Sequence, residues 1–192
     1  MERLTERVHQ ILSARLNAGD VAIDATAGNG HDTLFLAQAV GPTGHVYAFD
    51  VQPVAIEQTR RRLEAAGLFD DQTIHLLNQS HAELPDNIPP EHHGQIAAVT
   101  FNLGYLPGAD KSLITQTEST RQAVEAALSL LREEGLLTVV AYTGHPGGAE
   151  ETETVAALFQ SLSQEEFSVE VTTPSKEHAP RLFVVTRRRK SS

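Results

Sequence analysis

The sequence has no cysteine, which excludes disulfide bonds and thiolate metal sites. It also has no apolar run long enough to span a bilayer. The first ten residues, MERLTERVHQ, are charged and amphipathic and lack the apolar segment of a signal peptide. We therefore expect a cytoplasmic protein that does not associate with membranes.

Positive charge is scarce. The 192 residues include 15 Lys and Arg against 25 Asp and Glu, so the formal net charge is -10. Because attraction to phosphate needs a basic face, this balance argues against a general nucleic-acid binder. The basic residues that do occur form small groups at Arg60–Arg62, Lys111, Arg181 and Arg187–Lys190.

The nine histidines do not define a metal site. His92 and His93 are adjacent in a predicted loop, and no carboxylate–histidine spacing recurs along the chain. We predict no metal cofactor.

Strand-like and helix-like apolar patterns alternate along the whole chain, whose length suits a single domain over residues 1–192. The strands are predicted at 21–25, 46–49, 73–77, 96–101, 136–142, 167–171 and 182–186. The helices are predicted at 3–16, 31–40, 53–66, the later part of 112–132, and 150–162. Gly135 is interpreted as a separator between helix and strand, residues 1–18 as an N-terminal helical segment, and residues 187–192 as a basic tail.

Such alternation indicates an α/β fold with a mainly parallel sheet and helices on both faces. The last two predicted strands have no helical pattern between them, so they are expected to pair antiparallel at the sheet edge. The amphipathic helix near the N-terminus is a candidate homodimer interface.

A glycine turn follows the first predicted strand, in Asp24-Ala25-Thr26-Ala27-Gly28-Asn29-Gly30. Asp50 ends the next strand, 20 residues after Gly30, where a carboxylate can accept both hydrogen bonds of a ribose diol. In open α/β sheets, ligands bind beyond the carboxyl ends of the strands. This pattern indicates an adenosine-containing cofactor, unless the glycines only turn the chain and Asp24 only caps it.

Two cofactor classes use this arrangement. A dinucleotide fingerprint requires a third glycine where Thr33 stands, and the carboxylates of Asp24 and Asp32 would repel a pyrophosphate. S-adenosylmethionine (SAM) has no phosphate and carries a cationic amino group and sulfonium, which suit an acidic turn. The residues favour SAM over a nicotinamide or flavin cofactor.

Three segments resemble the signatures of one bacterial methyltransferase family. They are DATAGNG with DTLFLA at residues 24–37, FNLGYLPGADKS at 101–112, and GHPGG at 144–148 followed by Glu151. The family has been labelled as rRNA methylases and includes tRNA 5-(aminomethyl)-2-thiouridine methyltransferases. The similarity covers nearly the whole chain, with departures at His31, Ala109 and Thr143.

The resemblance implies a Rossmann-like class I methyltransferase with a seven-stranded, mostly parallel sheet and an antiparallel last strand. It also implies SAM as cofactor. The predicted cofactor-binding residues lie at the ends of the first four strands; they are Asp24, Ala25, Gly28, Asn29, Gly30, Asp32, Thr33, Asp50, Gln52, Ser80, His81 and Asn102. For Ser80, a helix N-cap is the alternative role.

The segment Asn102-Leu103-Gly104-Tyr105 has the form of the N/D-P-P-Y motif of many amino-group methyltransferases. By this likeness, the Asn102 amide oxygen and the Leu103 carbonyl would accept hydrogen bonds from the target amine. Gly104 would allow close backbone approach, and Tyr105 would stack on the base. The alternatives are a loop-capping amide at Asn102 and a packing ring at Tyr105.

Four more residues are predicted on the substrate side of the site: Asp110, Lys111, Tyr142 and His145. Lys111 could contact an RNA phosphate and Asp110 could order its loop, or the two could form an exposed ion pair of little energetic value. His145 could bind phosphate, act as a base or fix its loop, and Tyr142 could line the pocket or only pack.

By resemblance, the substrate is the wobble uridine 34 in a tRNA anticodon stem-loop, whose 5-aminomethyl group would become 5-methylaminomethyl. The alternatives are methylation of rRNA, methylation of a small-molecule amine, a nucleotide-dependent oxidoreductase, and a non-catalytic binding protein. A small enzyme that grips one stem-loop needs few phosphate contacts, so the net charge does not exclude tRNA.

Overall fold

Seven strands form one sheet in the computed structural model, which describes residues 4–104, 117–144, 146–172 and 179–190. The strands are β1 Val21–Asp24, β2 His45–Phe49, β3 Ile74–Leu77, β4 Ile96–Leu103, β5 Leu131–Ala141, β6 Phe167–Val171 and β7 Arg181–Arg187. The α-helices are α1 Leu4–Ser13, α2 His31–Val40, α3 Pro53–Ala65, α4 Leu84–Asn87, α5 Thr117–Leu130 and α6 Gly148–Ser161. Short 3-10 helices cover Gly41–Thr43, His81–Glu83 and Pro90–His92.

The strand order is β3-β2-β1-β4-β5-β7-β6. Strands β1 to β5 pair in parallel, whereas β7 pairs antiparallel with both β5 and β6. The predicted mostly parallel sheet with an antiparallel last strand is confirmed. Because β1 lies between β2 and β4, the connections on its two sides diverge, and a crevice forms at the carboxyl ends of these strands.

Successive side chains of each strand point to opposite faces, so the sheet feeds two apolar layers. In β1, Ala22 packs in the layer with α1, α2 and α3, and Ile23 packs in the layer with α4, α5 and α6. The apolar face of α1 is part of the first layer, where Val8 and Leu12 are buried. The stripe that suggested a homodimer interface therefore packs within the chain's own core, and the homodimer stays a prediction.

The start of β5 differs from the sequence prediction. The strand begins at Leu131, directly after α5, and Gly135 lies inside it instead of separating it from the helix. The pairing with β4 shifts register between Leu131 and Leu136, and Glu134 has a φ of 61° within this irregularity. A Cβ at Gly135 would lie 2.8 Å from the Ile96 carbonyl oxygen. The glycine therefore marks a bulge where two backbones approach closely.

The predicted basic tail also begins too early. Arg187 belongs to β7, and its guanidinium donates to the Leu131 carbonyl oxygen at 2.7 Å. Arg189 forms an ion pair with Glu134. These side chains hold the end of β7 against the start of β5, because the bulge presents carbonyl and carboxylate acceptors there. In the described ranges, no helix is both long and apolar enough to cross a membrane.

Gly30 joins the β1 turn to α2 and touches α3. Its φ is +75°, and a Cβ there would lie 2.7 Å from the Thr59 Cα. We expect Gly30→Ala to lower the free energy of unfolding by about 2–4 kcal/mol, since left-handed strain and overpacking add. Urea denaturation measures this loss.

Gly67→Ala is the matched control. Gly67 has a similar φ of +68°, but a Cβ added there would meet nothing within 4 Å. We expect it to cost only the conformational strain, about 1–2 kcal/mol. Equal losses in the two variants would show that contact with Thr59 does not matter.

Candidate active site

The glycine turn at the end of β1 is held by the carboxylate of Asp50 at the end of β2. Asp50 Oδ2 accepts from the Gly28 backbone N–H at 2.9 Å, and Oδ1 accepts from the Gln52 N–H at 2.9 Å. Gly28 and Gly30 both have positive φ, at 54° and 75°. Burial raises the pKa of Asp50, and the two backbone hydrogen bonds oppose that rise. Asp50 thus fixes the turn and remains partly exposed at its rim.

Asp24 lies behind the turn and has no exposed surface. One carboxylate oxygen accepts from the Thr26 N–H at 3.1 Å, and the other accepts from the Thr33 hydroxyl at 2.6 Å. The predicted alternative of Asp24 as a cap of the turn is therefore part of its role. Thr33, which stands where a dinucleotide fingerprint has glycine, supplies one of the two partners.

The environment of Asp24 penalises its negative charge. Burial, followed by the charge of Asp32, raises its pKa to about 7. Both of its hydrogen-bond partners given above are neutral groups. A cationic ligand beyond the turn would relieve this cost, so Asp24 would act on it through its field.

Asn102 is fixed by two hydrogen bonds at the carboxyl end of β4. Its backbone N–H donates to Thr26 Oγ1 at 2.7 Å, and its side-chain Nδ2 donates to Asp32 Oδ2 at 2.5 Å. The other oxygen of Asp32 contacts His9 Nε2 at 2.6 Å. The structure therefore brings Asn102 and Asp32 together as predicted neighbours of one cleft, although these partners of Asp32 belong to the protein.

His9 and Thr26 are site residues that the sequence did not predict. Thr26 stands within the quoted glycine-turn motif, and its hydroxyl could have been suspected there. His9 lies 23 residues before Asp32 in the chain, on a different helix. No sequence spacing signals a contact of this kind, because it depends on how α1 packs on α2.

Ser80 and His81 follow β3, and the structure assigns them different surroundings. Ser80 caps the 3-10 helix His81–Glu83 in a capping box with Glu83, as its alternative interpretation proposed. His81 is buried; its Nδ1 lies 3.3 Å from the Ala25 carbonyl oxygen, and its Nε2 is buried without a partner. Burial lowers the pKa of His81, so the neutral ring presents Nε2 as an acceptor.

Asn29 and Gln52 lie on the two sides of the turn. Asn29 is partly buried, and its carbonyl oxygen accepts from Arg62 Nε at 2.7 Å. Gln52 is buried and begins α3 as its N-cap, without a side-chain capping bond. Arg62, one of the grouped basic residues, is therefore a structural support of the turn.

On the substrate side, Leu103 and Tyr142 are adjacent. The Leu103 carbonyl oxygen, predicted to receive the amine, accepts from the Tyr142 backbone N–H at 3.2 Å. Tyr142 is 40% exposed, and its pKa is raised by burial and then by the charge of Asp32. Its ring thus lies near the Asp32–Asn102 pair. Gly104 follows β4 directly, whereas Tyr105, Asp110, Lys111 and His145 lie outside the described residues.

Metal ligands do not converge at this site. Within the ranges given above for the structure, no three His, Asp or Glu side chains are grouped so that they could hold an ion.

The strand order, the antiparallel β7 and the acidic glycine turn define a class I SAM-dependent methyltransferase fold. The sequence matches the family described as "Putative rRNA methylase" over residues 46–187. The chain belongs to this family, and its cofactor is SAM.

The solved structures most useful for comparison cover nearly the whole chain. A "putative rRNA-methylase" from Clostridium thermocellum is 34% identical with a TM-score of 0.90, over 97% of this chain and 98% of that one. A "putative methyltransferase" from Streptococcus mutans in complex with SAH, also 34% identical, has a TM-score of 0.85 over 97% and 99%.

A curated relative carries a more specific name. The chloroplastic tRNA (mnm(5)s(2)U34)-methyltransferase of Arabidopsis thaliana is 40% identical over 167 residues, which are 84% of this chain and 60% of that protein. The chain thus spans less than two thirds of the length of this relative.

The residues present fit SAM. The uncompensated buried carboxylate of Asp24 suits its cationic groups, and the partly exposed Asp50 suits its ribose. The unpaired Nε2 of His81 offers an acceptor at the end of the neighbouring strand.

Proposed function

We propose that this protein is a SAM-dependent N-methyltransferase that converts 5-aminomethyl-(2-thio)uridine at tRNA position 34 to its 5-methylaminomethyl form. One structural observation carries the proposal: the Asn102 amide is held at the end of β4 with its nitrogen bonded to Asp32. The similarity to the Arabidopsis methyltransferase supplies the substrate class.

The orientation of Asn102 suits an amine substrate. Because Nδ2 donates to the Asp32 carboxylate, Oδ1 is left as the acceptor on the other side of the amide. An acceptor there would bind an N–H of the amine and aim its lone pair. A loop-capping amide would instead bond to its own turn, whereas Asp32 belongs to α2, 70 residues away in sequence.

The cofactor supplies a methyl group activated by a sulfonium. The neutral amine attacks this carbon, the new N–C bond forms as the C–S bond breaks, and the electron pair returns to sulfur. The resulting ammonium then loses a proton to solvent. Placing the amine in line with the methyl group accounts for much of the acceleration, since positioning converts an encounter into a local event.

The chain's arginines favour a small RNA footprint. Arg62 supports the glycine turn, Arg181 pairs with Glu153, and Arg189 pairs with Glu134. These groups are engaged within the protein, so they contribute less to phosphate binding than their number suggests. The same observation, with the net charge of -10, favours a small-molecule amine as the second candidate substrate.

Nucleoside mass spectrometry tests the reaction. The protein is incubated with SAM and tRNA that carries 5-aminomethyl-2-thiouridine, and we expect 5-methylaminomethyl-2-thiouridine to appear. Parallel reactions with rRNA and with small primary amines distinguish the alternatives. An unchanged tRNA nucleoside would overturn the proposed substrate, and methyl transfer to an amine alone would support the second candidate.

The pKa of Asp24 makes a separate prediction about cofactor binding. A nearby cation favours the carboxylate over the neutral acid, so SAM should bind more tightly as pH rises through about 7, the raised pKa of Asp24. We expect affinity to fall up to about tenfold per pH unit below that value. Calorimetry from pH 5.5 to 8.5 measures the curve.

Asp24→Asn separates this effect from titration of the cofactor itself. We expect the variant to bind SAM more weakly at pH 8 and to lose the step near pH 7. A raised carboxyl pKa stabilises the fold fully below its unfolded value of 3.8, and this stability is lost as pH rises to about 7. The free variant should therefore resist urea at pH 8 at least as well as the wild type. A wild-type pH step retained in Asp24→Asn would assign the linkage to another group.

A further inference from the structure

His9 contacts the candidate active site from outside it. The residue lies on α1, and its Nε2 is 2.6 Å from Asp32 Oδ1, while Asp32 Oδ2 accepts from the Asn102 amide. Because an ionised carboxylate can only accept, both neighbours donate to Asp32. The three side chains form one continuous chain that ends at the amide nitrogen of Asn102.

The geometry fixes the His9 ring at two points. Its plane stacks on Phe35, with ring centroids 4.0 Å apart and an interplanar angle of 4°. Asp32 and Phe35 are three residues apart on α2, so they share one helix face. One holds the edge of the ring and the other its face, and Nε2 is thereby aimed at the carboxylate.

Asp32 needs this support to hold Asn102. The Asp32 residue is only 7% exposed, and a buried carboxylate is stable when each oxygen has a donor. Without His9, the carboxylate could rotate toward solvent and release Nδ2. An Asn side chain can then turn over, which would present its NH2 to the amine in place of the acceptor oxygen.

We propose that His9 is a positioning residue for methyl transfer, which acts through Asp32 to hold the Asn102 amide with its oxygen toward the substrate amine. The inference rests on the proposed reaction at Asn102. It adds to that reaction a residue from an N-terminal helix outside the three sequence motifs.

Two replacements of His9 separate the hydrogen bond from packing. His9→Leu keeps an apolar side chain against Phe35 but cannot donate, whereas His9→Gln keeps an N–H donor at a similar distance from the backbone. We expect His9→Leu to lower kcat by about 10- to 100-fold with little change in KM for SAM, since the lost donor served a charged acceptor. We expect His9→Gln to recover kcat to within about threefold of the wild type.

His45→Gln is the control for loss of a histidine. His45 begins β2 at the opposite edge of the sheet and contacts His75, so kcat should be unchanged. If His9→Leu and His9→Gln lose the same activity, or if neither loses any, the positioning role is wrong.

An NMR readout tests the inference without turnover. In 15N-labelled protein, the side-chain NH2 signals of Asn102 are identified by their absence in Asn102→Ala. We expect His9→Leu to move these signals and His9→Gln to leave them near the wild-type positions. Unchanged Asn102 signals in His9→Leu would overturn the inference, even where kcat falls. Inactivity of the wild type on tRNA would count against the proposed function and would leave this NMR test in force.

Discussion

Replacing Asn102 by alanine is expected to lower kcat by about 100- to 1,000-fold, the range seen when one preorganised polar contact to a reacting group is removed. The amide oxygen that aims the amine is lost, whereas the cofactor contacts at Asp50 and the glycine turn remain. We therefore expect the Kd for SAM to change by less than about threefold. Single-turnover kinetics on tRNA and calorimetry with SAM measure the two effects.

Asn102→Asp gives the sharper test because it is nearly isosteric. The new carboxyl would lie at the position of Nδ2, 2.5 Å from Asp32 Oδ2, and two carboxylates so close cannot both be ionised. When the pair shares a proton, the new side chain can donate to Asp32 and keep its other oxygen as an acceptor. The ratio of variant to wild-type kcat should therefore fall as pH rises.

Asn102→Ala is the comparison for this pH dependence, since its ratio to wild type should be flat. A ratio for Asn102→Asp that is equally flat would show that Asp32 does not hold Asn102 during the reaction. Full activity of Asn102→Ala would contradict the whole account of the reaction site.

The second large effect is expected on cofactor binding. Asp50 accepts backbone N–H donors on both oxygens, and a ribose diol would donate to the same carboxylate. In Asp50→Asn, the amide NH2 must face either the Gly28 or the Gln52 N–H, so one donor meets another. We expect the Kd for SAM to rise by about 30- to 100-fold, because charge-assisted hydrogen bonds are lost and the turn is loosened.

Asp20→Asn controls for the loss of a carboxylate. Asp20 pairs with Arg132 just before β1, at the opposite edge of the sheet, so its replacement should alter stability and leave SAM binding unchanged. Calorimetry on both variants decides the matter. Equal Kd values for wild type and Asp50→Asn would remove Asp50 from the cofactor site.

The order of the elements is readable from the chain because each depends on local patterns. The alternation of strand-like and helix-like runs predicts the parallel sheet, and helix α2 has its predicted bounds. The start of β5 is misplaced by the sequence prediction, since the sequence around Gly135 resembles a turn. The close approach of Ile96 makes it a bulge instead.

The candidate site is predictable in part. Spacing places Asp24, Asp50 and Asn102 at the ends of three neighbouring strands, which the fold brings to one edge. Spacing could not show that Ser80 caps a 3-10 helix, that the Leu103 carbonyl bonds to Tyr142, or that Arg62 supports the turn. Each of these depends on which polar groups meet after packing.

The sequence by itself determined the α/β architecture, the acidic glycine turn and the family, because periodicity and contiguous motifs are properties of short segments. Only the tertiary structure decided how the polar groups are shared. It places Asp24 behind the turn and joins His9, Asp32 and Asn102 from two helices and a strand. The physical reason is that a buried carboxylate must find donors, and the packing of α1 and β4 around α2 selects which donors reach it.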